Sequence, residues 1–142
     1  MSTLISKSVA QERLLHVSVG LAQIVLATIF AAMALLKLMM PAERLVETMH
    51  WTEQLPLALV RGLGGLEFVA AVAVAAPAVT RLPQRIVGFT SLAFLTLMTS
   101  AAIVHTIRGE FRMVAINVAI AALAGFVAWG RLMQEPLESD VP

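Results

Sequence analysis

LALVRGLGGLEFVAAVAVAAPAV, residues Leu57–Val79, is the stretch on which the architecture turns. It is long enough to cross a bilayer, since a helix needs roughly 20 mainly apolar residues to span a hydrocarbon core of about 30 Å. Yet it carries two charges, Arg61 and Glu67. Three other stretches carry none: Leu14–Leu36, Ile86–Ile107 and Met113–Gly130, of 23, 22 and 18 residues. Those three read directly as transmembrane helices. If Leu57–Val79 were not a fourth, a long apolar loop would join two of them with its backbone unpaired. Lipid does not tolerate that. Four spans follow.

The whole composition agrees. Of 142 residues, 59% are hydrophobic and 13% charged, against about 45–50% and 25% in a soluble domain. Too few polar residues remain to coat a water-soluble globule. A formal net charge of +1 gives no electrostatic footprint for nucleic acid. The absence of cysteine excludes disulfides, thiolate metal sites and cysteine nucleophiles. No segment alternates apolar and polar residues as a membrane barrel strand must. The expected fold is therefore an all-α membrane protein, a four-transmembrane-helix bundle.

Proline and glycine punctuate the chain. Pro41 ends the first span, Pro56 precedes the second, Pro77 and Pro83 bracket the next turn, and Gly109 sits in the last. The expected organisation is a cytoplasmic N-terminal segment 1–13, a four-helix domain 14–132, and a disordered acidic tail 133–142. Within the domain the spans are about 14–40, 57–79, 86–107 and 113–132. Lys7 and Arg13 before the first span and Ala32-Met33-Ala34 within it resemble a secretion signal. The apolar stretch is too long for one, so it is read as a retained span. The segment 41–56, PAERLVETMHWTEQLP, carries three glutamates, His50 and Trp51. Trp favours the membrane–water interface, so this segment reads as a short interfacial helix or loop, with a plain solvated loop as the alternative. Lys7, Arg13, Arg81, Arg85 and Arg131 fall on one side, and Arg44, Arg108 and Arg112 on the other, with Lys37 and Arg61 inside spans. By the positive-inside rule both termini are cytoplasmic.

Helical periodicity, about 100° per residue, gives each span one polar stripe. Gln23, Phe30 and Lys37 share a face of the first; Glu67 lies with Val60, Gly64, Ala71 and Val74 on the second. Ser91, Met98, Ala101 and His105 align on the third, and Asn117, Ala121, Ala124, Ala128 and Arg131 on the fourth. Small residues beside polar ones are the composition of helix–helix contacts in lipid. Because the chain alternates direction, Lys37, His105 and Asn117 come to the same end, the non-cytoplasmic one. Glu67, about ten residues into its helix, lies roughly 15 Å deep.

A carboxylate at that depth is costly and must be protonated or paired with a cation. Two readings stay open: a buried pair of Glu67 with Lys37 or His105 that fixes helix register, or a functional polar pocket. In the second, Glu67 and His105 are the candidate catalytic residues. Lys37, Asn117, Arg61 and Gly64 are the candidate ligand-binding ones, the Gly62–Gly65 run letting a helix or ligand approach beside Glu67. Arg61 lies about 120° around the helix from Glu67, which favours snorkelling to headgroups over joining the pocket; Lys37 is also near enough to its helix end to snorkel. Arg131 is expected to anchor the cytoplasmic interface with Trp129. His16 and His105 fall at opposite faces, which disfavours a bis-His haem, and no metal-ligand spacing is present.

The order of these motifs resembles the DoxX-like family of small four-helix bacterial membrane proteins. The matching features are Ala34-Leu35-Leu36-Lys37-Leu38, Arg61-Gly62-Leu63-Gly64-Gly65-Leu66-Glu67, the small-residue run to Pro77, Ala101-Ala102-Ile103-Val104-His105 and Trp129-Gly130-Arg131. The resemblance spans roughly Leu14–Arg131. It implies the four-helix fold and a role as subunit or accessory of a membrane oxidoreductase, with links to quinone, thiosulfate or oxidative-stress chemistry. The leading expectation is therefore a redox-associated protein that binds a quinone-like or other lipophilic molecule between its helices, with the bilayer and an oxidoreductase as partners and homo-oligomers as a further option. The alternatives are a non-catalytic scaffold subunit and a small transporter or proton path.

Overall fold

The computed structural model describes the backbone of residues 2–133 and the side chains of residues 10–77 and 79–133. Its elements are α1 (Ser2–Met39), α2 (Ala42–Thr48), a 3-10 turn (His50–Gln54), α3 (Leu57–Ala75), a second 3-10 turn (Ala76–Ala78), α4 (Gln84–Ile107) and α5 (Phe111–Met133). Helices α1, α3, α4 and α5 are the four membrane spans. The expected acidic tail lies outside the described residues.

Helix limits differ from the apolar spans where backbone chemistry rather than hydropathy decides. Ser2–Arg13 contains neither proline nor glycine, so α1 begins well before its apolar part. At its other end α3 stops at Ala75, because Pro77 lacks an N–H and tightens the chain into the 3-10 turn. Pro41, Pro56 and Pro83 each stand at the N-cap of the helix that follows.

The four long helices form two pairs. Helix α1 packs on α3 and α4 on α5 most extensively; the pairs meet along α1–α5 and, less extensively, along α3–α4. The buried faces follow the stripes read from the sequence, except that on α4 Ala101 and His105 are only half-buried. Val60, Gly64, Glu67, Ala71 and Val74 are buried on α3, and Asn117, Ala121, Ala124, Ala128 and Arg131 on α5. At the centre Phe30 of α1 stacks on Phe94 of α4, with ring centroids 3.4 Å apart and planes 8° from parallel. In lipid such packing, rather than expulsion of water, holds helices together. Leu14, Leu21, Leu66, Val69, Phe89 and Ile103 are exposed, a surface suited to acyl chains and not to water. The hydroxyls of Thr28, Thr96, Thr99 and Ser100 on that surface bond back to carbonyls four residues earlier in their own helices, which satisfies them without water.

The end of the bundle nearer the N-terminus is tied by a buried polar network. Gln23 of α1 donates from Nε2 to the Val74 carbonyl of α3 at 2.7 Å. Its Oε1 accepts from Arg131 Nε and Nη2 of α5, at 3.0 and 2.7 Å. This corrects the expectation that Arg131 anchors the interface. Only 6% of the residue is exposed: Gln23 supplies the acceptor that makes burial of a guanidinium affordable, so it turns inward across three helices.

Candidate functional site

The opposite end of the bundle gathers the remaining buried charges. Lys37 lies in the last turn of α1 and Glu67 in the middle of α3. Their side chains meet at 2.6 Å, Nζ to Oε2, with 2% and 3% of their surfaces exposed. They can meet because Gly64 lies one turn before Glu67. A methyl group at Gly64 would sit 2.8 Å from Lys37 Cβ and 3.3 Å from the Ala34 carbonyl oxygen, so the glycine lets the two backbones approach. One ammonium hydrogen serves Glu67; the group has two more donors, and the carboxylate a second oxygen, for another partner.

Arg61 takes a different part from the one expected. Its guanidinium donates to the carbonyls of Lys37 and Met40, the latter at 2.6 Å from Nη2. A helix leaves its last carbonyls without partners, and here a cation from the neighbouring helix closes them. The fork of Arg61 is thus spent on the end of α1 rather than on headgroups, and it holds Lys37 in place from behind. Lys37, near enough to its helix end to snorkel, instead turns inward to Glu67, which compensates its charge inside the bundle.

Helix α4 ends at this level with His105. The next residues form a tight cap: Gly109, at φ 73°, lets its N–H reach the Thr106 carbonyl and that of Glu110 reach the His105 carbonyl, at 3.0 and 2.9 Å. This is a Schellman ending, which needs a left-handed residue at the glycine position. It folds Glu110 back over its helix, where one carboxylate oxygen meets His105 Nδ1 and the other accepts from Arg108 Nε at 2.8 Å. The hydrogen bond from Arg108, then that from His105, holds the Glu110 carboxyl below the ordinary carboxylate range. With Nδ1 engaged, the other ring nitrogen of His105 is left for a ligand. Across from it, Asn117 of α5 donates from Nδ2 to its own helix at Met113, 2.8 Å away, and its side-chain oxygen has no hydrogen bond among the described residues.

These groups line one cavity of about 730 Å³ between the two helix pairs. Lys37, Glu67, His105 and Asn117 all reach it, as the stripes and depths predicted, and its remaining wall is mostly Leu, Ile, Val and Met. Arg61 and Gly64 do not line it; they shape the α1–α3 contact that presents Lys37. Glu110, His50 and Trp51 line it too, though the sequence reading gave them no place in the pocket. His50 and Trp51 come from the segment after α2, which lies over the cavity. The signal for Glu110 was available, since a glycine four residues after His105 and a glutamate next to it spell the cap.

Size and lining both suit a small lipophilic ligand. Such sites occupy about 300–1,000 Å³ and set a few convergent polar groups in apolar walls. Chemically, the cavity offers an ammonium–carboxylate pair, an imidazole backed by a second carboxylate, and an amide oxygen. It can hold polar oxygen atoms and exchange protons with them. Among the described residues no group of three His, Asp or Glu is placed to hold a metal ion.

A family model described as the DoxX-like family matches residues 21–127. That range covers α3 and α4 in full, α1 from Leu21 onward and α5 up to Val127. No curated protein and no solved structure matches the chain.

Proposed function

The chain belongs to the DoxX-like family, and on that premise we propose that it serves a membrane redox system by holding a lipophilic carbonyl compound of the quinone type in its cavity. The observation that carries this reading is the convergence of Lys37, Glu67, His105 and Asn117 on one largely apolar space of about 730 Å³. Oxidation of a hydroquinone releases protons together with electrons, so a site for it needs groups that accept protons beside groups that fix the oxygens. Glu67 and His105 are the proton acceptors. The spare hydrogens of Lys37 hold one ring oxygen, and Asn117 orients another. Electrons pass to or from a membrane or peripheral oxidoreductase. With both termini cytoplasmic in a bacterial inner membrane, the cavity faces the non-cytoplasmic side.

Titration of the full chain in nanodiscs with a benzoquinone tests the reading. Saturable binding that weakens at least tenfold in Asn117→Leu supports it; no binding, or equal binding in the variant, refutes it. One observation favours a second reading. The Lys37–Glu67 pair is buried and its two charges compensate each other, as they would in a scaffold subunit where the pair only fixes helix register. In that case Glu67→Gln lowers folded yield and leaves no ligand binding to lose.

A further inference from the structure

A ligand confined between the helices must come in from somewhere, and the wall of the cavity shows where. Most of its lining is buried or half-buried, but Ser100 and Val104 of α4 both line the cavity and belong to the lipid-facing surface, Val104 with 49% of its surface exposed. A residue that faces inside and outside at once marks a gap in the wall. Its direction follows from the helix. Leu95 points at α5, where it would meet a methyl group on Gly125 at 3.8 Å. At about 100° per residue, Val104 points about 180° away from Leu95 and Ser100 about 140° away. Both therefore lie on the side of α4 turned away from α5, and across the cavity from them its lining includes Leu63 of α3. Of the α1–α5 and α3–α4 seams that join the two pairs, the α3–α4 seam is the less extensively packed.

We infer that the α3–α4 seam is a lateral slot, and that the ligand is a single-headed amphipath whose linear tail leaves through it into the bilayer. The inference rests on the lipophilic-carbonyl reading of the site and adds the tail to it. The polar head sits among Glu67, Lys37, His105 and Asn117. The tail passes between Leu63 and the Ser100–Val104 edge, where only apolar surface and the already satisfied hydroxyl of Ser100 meet it. His50 and Trp51 line the cavity from the segment after α2. A headgroup therefore reaches the acid–base residues from lipid without crossing the interface.

The other flank supplies the internal control. Ile116 of α5 also lines the cavity and is 44% exposed, but it points about 180° from Gly125, toward α1, along a seam that packs more closely.

The experiment compares a benzoquinone bearing a decyl tail with the same ring bearing a methyl group in its place. Equilibrium binding is measured on the full chain in nanodiscs and corrected with protein-free discs. Ser100 faces lipid, so Ser100→Trp fills the slot without disturbing the core. It is expected to weaken the decyl compound at least tenfold and to leave the methyl compound within twofold. Ile116→Trp is expected to change neither. Equal loss of both compounds in Ser100→Trp, no loss of either, or tail discrimination by Ile116→Trp instead would each overturn the slot. If the unsubstituted chain binds neither compound, the reading of the site fails first and the slot falls with it.

Discussion

Removing one partner of the Lys37–Glu67 pair while leaving the other in place has a calculable cost. In Glu67→Leu the Lys37 ammonium, 1% exposed, loses the carboxylate 2.6 Å away. Leaving one member of a buried pair unpaired costs about 3–5 kcal/mol. Even the lower end, about 3 kcal/mol, is roughly a hundredfold in the ratio of folded to unfolded chain. Relief by snorkelling is restricted, because Arg61 holds the Lys37 and Met40 carbonyls and so fixes the end of α1. The double variant Lys37→Met/Glu67→Leu removes both charges and keeps similar volumes; such replacements are often neutral or stabilising. It should lie within about 1 kcal/mol of the parent. Reversible unfolding in mixed micelles, followed by far-ultraviolet circular dichroism, measures all four members of the cycle. A loss under about 1 kcal/mol in Glu67→Leu would refute the burial argument. A double variant no more stable than the single would show that the pair itself sets helix register, and would favour the scaffold reading.

Other expectations follow from neighbouring contacts. Gly64→Ala places a methyl group 2.8 Å from Lys37 Cβ and should cost about 1–3 kcal/mol as an overpacked contact. Gly65→Ala meets nothing within 4 Å and should be neutral or gain up to about 1 kcal/mol of helix propensity; thermal unfolding of the two variants side by side checks this. Arg61→Lys keeps the charge but cannot fork to two carbonyls, so it should recover only part of the roughly 1.5–3 kcal/mol lost in Arg61→Met, read by the same unfolding assay. The Glu110 carboxyl is held low in the folded chain by Arg108 and His105. Its contribution is therefore present above the ordinary carboxylate range, about pH 4–5, and is lost as pH falls through its lowered folded value. Stability profiles of the parent and Glu110→Gln should converge in that acid range and separate above it.

The faces of the four spans were legible because a helix converts spacing into direction without knowledge of its neighbours. Glu67 with Val60, Gly64, Ala71 and Val74 is one such face, and it is the face α3 buries. Depth was legible for the same reason, through a fixed rise per residue, and it brought Lys37, His105 and Asn117 to one level. The fates of Arg61 and Arg131 were not. A long cationic side chain has several turns within reach, and its choice depends on acceptors in other helices: carbonyls at the end of α1 for one, Gln23 for the other. His50 and Trp51 escaped because periodicity says nothing about how a proline-bounded strap folds back over the bundle. Glu110 depended on one glycine φ angle.

Whether the cavity carries a ligand of the expected chemistry is tested most directly by mass spectrometry of the organic extract from the full chain, purified in mild detergent beside its Lys37→Met/Glu67→Leu variant. The account predicts a lipophilic carbonyl compound in stoichiometric amount with the parent chain, and its loss from the folded variant. No such compound in either preparation, or equal amounts in both, would contradict it.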